Sequence, residues 1–375
     1  MTKSGFWIFR LGVKMLILLV NLLFIFLLLL TYLAPSISPD RFFAPAMLGL
    51  VYPLLFVINL LFMTFWLVRL KYYFLFSLIS LALGWNVMKV NVGLNTKAPD
   101  ENQAGNIKFL SYNVRLFDQF KWMPGQDYFT RNNIFNFITT ESPDIVNFQE
   151  FFHGSETYFP TIGPFLESQK TSHYHTDYIK VVGTNKHYGL ATFSRFPIVN
   201  RGSIRFGNST SNSGMFTDIV VNRDTVRVFN FHFESIRLSN ADYKFVTEFI
   251  DPGMHPTSSN SRIILGKFHN AFVKRAEQAR IAKEHIAQSP YPVIVSGDFN
   301  DTPVSYVYHQ ISSGLNDAFI ESGTGFGSTY AGNIPFIRID YILHSDQLRA
   351  QGYQTHKVSF SDHYPISCDF LLPLQ

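Results

Sequence analysis

Three long apolar runs open the chain, and a different pattern follows them. Met15–Ala34 carries no charge, Ala44–Val68 carries none but contains Pro45 and Pro53, and Tyr72–Met88 is bounded by Lys71 and Lys89. A helix needs about 20 apolar residues to cross a bilayer, and lipid tolerates proline where neighbouring helices satisfy the freed carbonyls. The pattern therefore predicts three transmembrane helices, at about 15–34, 44–68 and 72–88, in a domain covering 1–90. From Ile107 the apolar runs become short and are broken by turns. Strands are expected at 107–112, 145–148, 189–193, 293–296, 339–343 and 366–371, with a hairpin of 217–221 and 226–233 joined through Asn222–Thr225. Helices are expected at 131–140 and 269–287, the second lined by Ala271, Ala276, Ala279, Ala282 and Ala287. Strands outnumber helices and several neighbours form hairpins, which predicts an α+β domain over 107–375 with mixed sheets. Residues 91–106, with Gly93, Pro99 and Gly105, read as a linker.

Charge separates the same two halves. The first 96 residues hold seven Lys/Arg and one acid, Asp40; the rest hold the other 24 bases and 26 acids. Lys3, Arg10 and Lys14 precede the first run, and Arg69 and Lys71 lie between the second and third. Basic residues mark cytoplasmic flanks, so three spans would leave the C-terminal domain outside, as in a bacterial inner membrane facing the periplasm. A cleaved signal peptide is the alternative for the first run, which is longer than the usual apolar region of about 7–15 residues. Cys368 is the only cysteine, which excludes a disulfide scaffold.

Candidate chemistry sits where strands end. Ser111-Tyr112-Asn113, Asn147-Phe148-Gln149-Glu150, Ser296-Gly297-Asp298-Phe299-Asn300-Asp301 and Ser361-Asp362-His363 each follow or precede an apolar strand; Asn230-Phe231-His232 and Arg338-Ile339-Asp340-Tyr341 lie within strands. Hard oxygen donors suit Mg²⁺, with Glu150 and Asp362 as the candidate ligands. Asp298 and Asn300 alternate at a strand end and point the same way, one to orient a water and one to hold a phosphate oxygen. His232 and His363 are available for proton transfer near neutral pH, and Asp340 for holding an imidazole in one tautomer. Each fragment alone is an ordinary turn or strand end; their order together is far more specific.

In that order the set resembles the endonuclease/exonuclease/phosphatase superfamily, which includes deoxyribonuclease-I-like nucleases, abasic-site endonucleases, neutral sphingomyelinases and inositol-polyphosphate 5-phosphatases. The resemblance spans essentially all of 107–375. It implies a four-layer α/β/β/α sandwich and Mg²⁺-dependent (or Mn²⁺-dependent) in-line attack of water on phosphorus. By resemblance, Asn113 is the active-site asparagine, Glu150 the main metal ligand and His232 the strand histidine. Asp298 and Asn300 fill the Gly-Asp-x-Asn motif, Asp340 the Asp-Tyr motif that orients the last histidine, and Asp362 with His363 the terminal Ser-Asp-His. A tyrosine or arginine often assists phosphate binding in the superfamily; Tyr188, His173 and His175 are the candidates near the Gly189 strand.

Substrate is less legible. The 5-phosphatases carry a Trp-Cys-Asp-Arg-like stretch where this chain has Phe336-Ile337-Arg338-Ile339-Asp340-Tyr341, which lowers that reading. Arg201, Arg205, Arg223, Arg227 and Arg237 cluster in sequence, but on strands they read as a solvated face; Arg275, Gln278 and Arg280 read as a structural helix face. A domain tethered to a bilayer meets lipid head groups at high effective concentration, which favours a lipid phosphodiester. The alternatives are a tethered nuclease acting on extracytoplasmic DNA or RNA and a non-catalytic binding protein that keeps the fold. Leu238–Phe268 reads as an insertion and a candidate substrate gate. The lipid bilayer and a phosphodiester substrate are the expected partners.

Overall fold

A computed structural model describes residues 3–95, 106–120, 128–183, 185–207, 212–236, 258–332 and 337–372. The chain divides into two compact units, Met1–Asn91 with Pro303–His309 and Val92–Thr302 with Gln310–Gln375.

The first unit is helical: α1 (Lys3–Thr31), α2 (Ala44–Leu50), α3 (Tyr52–Val68), α4 (Phe74–Leu83) and α5 (Trp85–Lys89). Within α1, Trp7–Thr31 is long and apolar enough to cross a membrane, and it turns Trp7, Ile8, Leu16, Leu19 and Phe26 outward. The expected second span is instead two helices bent by 75° around Val51. Pro53 sits in the first turn of α3, where its missing N–H is tolerated, so it starts a helix there instead of continuing one. The expected third span is the ten-residue α4, which stops at Gly84. Three spans are thus corrected to one helix of sufficient length, or two if the bent pair counts as one span. Polar side chains join the helices: Asn21 Nδ2 donates to Ser77 Oγ (3.0 Å), Trp66 Nε1 to Asn21 Oδ1 (3.0 Å) and Asn59 Nδ2 to the Phe24 carbonyl (3.1 Å). Such bonds hold apolar helices together where hydrophobicity cannot discriminate between partners.

The second unit contains strands β1 (Gly93–Leu94), β2 (Asn106–Asn113), β3 (Ile145–Gly154), β4 (His173–Val182), β5 (Lys186–Ser194), β6 (Ile198–Arg205) and β7 (Ser213–Val221). They continue with β8 (Asp224–His232), β9 (Val293–Asp298), β10 (Asn316–Asp317), β11 (Thr324–Gly325), β12 (Asp340–His344), β13 (Arg349–Thr355) and β14 (Ile366–Leu371). Its helices include α6 (Phe129–Glu141), α7 (Ile162–Gln169) and α8 (Ser258–Ala287). Two six-stranded sheets run β13-β14-β2-β3-β5-β4 and β10-β12-β9-β8-β7-β6. Each has one parallel pair, β2/β3 and β8/β9, among antiparallel neighbours, so the α+β expectation with mixed sheets holds.

Side-chain alternation on β3 shows how the sheets are used. Ile145 joins a core with Ile107, Val228 and Ile294, contributed by both sheets. Val146 and Phe148 face the other way, onto Ile134, Ile138 and Phe165 of α6 and α7. Asn147 and Gln149 bond across the sheets, to Ser296 Oγ at 2.8 Å and to Asn230 Oδ1 at 2.7 Å. The Asn147 amide is satisfied at both ends, its Oδ1 accepting from Thr192 Oγ1 at 2.6 Å, and the two side chains tie one sheet to the other next to the strand ends that matter below.

Several expectations move. The long helix begins at Ser258, eleven residues before the expected His269. The linker starts as β1, paired with β11, and its residues 96–105 lie outside the described residues, as do 238–257 of the expected insertion. Strands β4, β6 and β13 were not anticipated; each is polar on much of its length.

Candidate active site

The topology delivers the motif residues to one end of the paired sheets. Asn113 ends β2, His232 ends β8 and Asp298 ends β9, with His232 and Asp298 in register on the parallel pair. Asp340 begins β12 opposite Asp298, and His363 precedes β14, which runs antiparallel beside β2.

Glu150 arrives by a distortion. Phe148 pairs with Ala191 and Phe151 with Gly189, so Gln149 and Glu150 together face Leu190 alone. Such a bulge re-aims a side chain, and Glu150 takes a left-handed φ of 50° to do so. Gly189 must be glycine, because a Cβ there would lie 1.9 Å from the Asp177 carbonyl oxygen. Asn300 is also left-handed, at φ 52°. Backbone strain of this kind concentrates at functional sites.

Asp298 is the hub. It accepts from Asn113 Nδ2 (2.9 Å), Asn300 N (2.8 Å) and Asn300 Nδ2 (3.1 Å). Its Oδ2 lies 3.7 Å from both His232 Nε2 and His363 Nε2. Asp340 holds the other side of His363, with its two oxygens 3.1 and 3.0 Å from Nδ1. Burial pushes the Asp298 carboxyl up to about 6, against the pull of the neighbouring histidines. Burial also works against a charge on His363, but the Asp340 and Asp298 carboxylates outweigh it and hold the imidazolium well above the ordinary histidine range. His232 is pulled the other way by burial and is kept neutral. Its Nε2 has no hydrogen-bond partner and stands 3.7 Å from Glu150 Oε1 as well as from Asp298. Burial raises the Glu150 carboxyl, and Asn113 hydrogen-bonds to it.

Asp298, Asp340 and His363 each bring a ligand atom within 4.8 Å of the others. Asp340 already spends both oxygens on His363, however, and Asp298 accepts three amide hydrogens. Glu150 and Asp362 keep a third of their side chains open. Hard carboxylate oxygens that retain access to water suit a divalent cation that keeps part of its hydration shell, so the donor set fits one at this mouth. The unpartnered His232 Nε2 beside Glu150 marks the same place.

Arg115 is the residue that the sequence reading missed. Its Nε lies 3.5 Å from Asp362 Oδ2, and its backbone N–H donates to Asn113 Oδ1 at 3.0 Å. Arg115, Leu116, Phe117 and Asp118 form a left-handed turn with φ of 44°, 55°, 55° and 55°. That conformation costs roughly 1–2 kcal/mol per residue. Phe117 anchors it, with its ring edge-on to Phe135, Phe148 and Phe151 at 5.5–5.9 Å. The available signal was a basic residue two places after Asn113. Tyr188 stays apart from the cluster, its ring 5.0 Å from Phe152 and beneath Lys180. His175 faces Thr217 Oγ1 at 3.0 Å, and His173 pairs with Ser194 on β5. Arg275 and Gln278 are buried on α8. Of that arginine cluster, Arg205 and Arg227 pair with Asp177 and Asp218, and Arg237 lies outside the described residues.

A family model described as the Endonuclease/Exonuclease/phosphatase family matches residues 110–363. A second model, for a domain of unknown function, matches residues 14–91. No curated protein matches the chain. Among solved structures, an endonuclease/exonuclease/phosphatase from Beutenbergia cavernae aligns with TM-score 0.51 at 16% identity, over 72% of each chain. A family protein from Bacteroides thetaiotaomicron gives 0.51 at 15% identity, over 72% of this chain and 97% of that one. The human Nocturnin catalytic domain with bound sulfate gives 0.50 at 20% identity, over 71% and 94%. At such identities these structures attest the fold alone. The family model, in contrast, runs from β2 to the terminal histidine and takes in every residue of the cluster; on that span the chain belongs to the endonuclease/exonuclease/phosphatase family.

Proposed function

We propose that the protein is a membrane-anchored, Mg²⁺-dependent phosphoesterase that hydrolyses a phosphodiester, with a lipid head group as its substrate. The supporting observation is the opposed pair around Asp298: His363, braced by Asp340, and His232 each place Nε2 3.7 Å from Asp298 Oδ2. In this reading Glu150 and Asp362 hold the cation. When bound, it supplies charge neutralisation to the phosphoryl and leaving oxygens. Asp298, kept in place by Asn113 and Asn300, orients the attacking water and takes its proton. His363 presents Nε2–H to a phosphoryl oxygen, where donors count most as negative charge develops. His232 keeps Nε2 directed between Glu150 and Asp298, and Arg115 stands beside Asp362 to meet a second phosphoryl oxygen. Arg205 and Arg227, two of the five clustered arginines, are spent on Asp177 and Asp218, which weakens the basic stripe that a duplex-gripping nuclease needs.

The apolar, outward-facing α1 supports the anchor. With Lys3, Arg10 and Lys14 all at the N-terminal end of α1, that end is cytoplasmic and one span puts the catalytic domain outside, facing the periplasm in a bacterial inner membrane. The test uses the full chain in lipid nanodiscs with Mg²⁺, offered labelled DNA and native lipid together, with EDTA as control. Released head groups with intact DNA are expected. Cleaved DNA with intact lipid would make the protein a tethered nuclease. Hydrolysis of neither, nor of a soluble phosphodiester, would overturn the reading.

A further inference from the structure

The parallel pair β8/β9 carries His232 and Asp298 side by side, but its backbone ladder ends there. Phe233 N donates to the Asp298 carbonyl at 3.0 Å, and Asn300 Nδ2 to the Phe233 carbonyl at 3.0 Å. Beyond that rung the two chains diverge, one through Glu234 and the other through Asp301. A single side chain of α8 reaches both. Arg275 Nη1 donates to the Glu234 carbonyl at 3.0 Å, and Arg275 Nε donates to Asp301 Oδ2 at 3.1 Å. One turn further on, Gln278 Oε1 accepts from Glu234 N at 2.8 Å. Arg275 is wholly buried and Gln278 nearly so, and residues three apart share a helix face.

We propose that Arg275, assisted by Gln278, is a positioning residue: it staples the exits of β8 and β9 and so holds His232 and Asp298 side by side, with Asp298 placed to accept a proton from the attacking water. This rests on the phosphoesterase reading for its catalytic consequence, but the staple itself does not. A guanidinium is the side chain for this place. It offers donors in a rigid fork and remains charged when buried, whereas lysine offers a point charge that can reach one exit. Packing alone needs no such device; leucine on this face would fill the volume without facing the cost of a buried cation. The charge is offset locally by Asp301, while the Glu234 carboxylate is approached by Lys274 at 3.5 Å. Catalysis is sensitive to displacements of this order, since about 1 Å of misplacement can cost 100-fold.

The test uses the full chain in detergent, with Arg275→Lys and Gln278→Leu, and reads amide hydrogen exchange alongside steady-state rates on bis-p-nitrophenyl phosphate with Mg²⁺. Arg275→Lys is expected to speed exchange at least tenfold at residues 233–234 and 299–301, and to leave Asp340–Leu343 unchanged. It should lower kcat about 30-fold with KM within twofold, since phosphate and cation are held elsewhere. Gln278→Leu is expected to loosen the β8 exit alone and to lower kcat about threefold; it carries the test if Arg275→Lys fails to fold. Unchanged exchange at both exits would overturn the staple. Faster exchange with unchanged kcat would reduce Arg275 to a stabilising group and overturn the positioning role. If the unaltered chain hydrolyses nothing, the phosphoesterase reading falls, and exchange still decides whether Arg275 joins the two exits.

Discussion

At the residue scale, two histidines lie in surroundings that push them in opposite directions, and the difference defines their work. The Asp340 and Asp298 carboxylates push the His363 imidazole up against the effect of burial, whereas burial pushes His232 down. Replacing His363 with Asn, or Glu150 with Gln, is expected to lower kcat at least 100-fold while the thermal midpoint stays within a few degrees; steady-state rates paired with calorimetry check this. A third histidine makes a prediction away from the site. Burial lowers His175 to about 4, while it would titrate near 6.5 in the unfolded chain. The unfolded state therefore binds more protons between those values. Stability attributable to His175 is intact above pH 6.5 and is lost as pH falls toward 4, by roughly 3 kcal/mol. His175→Gln should flatten that part of the curve in urea titrations at pH 7, 6, 5 and 4. Nearly every residue of the cluster was legible in the sequence because metal and phosphate chemistry needs those residue types at strand ends. Arg115 was not, because a lone arginine in a loop has no distinguishing neighbour until the left-handed turn brings it to Asp362.

Elements were legible in proportion to how deeply they are buried. The apolar strands β2, β3, β8 and β9 announced themselves. The edge strands β4 and β6, and β13 at the far edge, are half exposed and carry sequences such as His-Tyr-His-Thr-Asp-Tyr and Arg-Ala-Gln-Gly-Tyr-Gln, in which periodicity is masked by polar residues on both faces. The end of β9 is also less tolerant than its sequence suggests. Gly297 has φ 144°, and a Cβ there would lie 1.9 Å from the Phe231 carbonyl oxygen. Gly297→Ala is expected to destabilise by more than about 3 kcal/mol, since neither the strained backbone nor the neighbouring strand can yield. A denaturant midpoint that did not move would contradict the contact.

For the whole molecule, hydropathy found the apolar unit but overcounted its spans. A window average registers composition and is blind to the 75° bend at Val51 and to the early end of α4 at Gly84. The two readings of its membrane topology separate cleanly. If α1 is the one span, an alkaline phosphatase fused after residue 96 is active and a green fluorescent protein fused there is dark in bacterial cells. If the bent pair also crosses, the signals reverse.

The bulge in β3 has one more consequence. Remove Glu150 alone, and Phe148, Gln149 and Phe151 would fall opposite Ala191, Leu190 and Gly189 in unbroken alternation, with both phenylalanines still facing the aromatic core. The acid is therefore an inserted residue, spliced into a strand that is otherwise regular. A chain lacking it should keep its sheet and melt no earlier than the parent, while losing hydrolysis outright. Gain and loss of the reaction would then be separated by a single codon, with the scaffold indifferent to which state it carries.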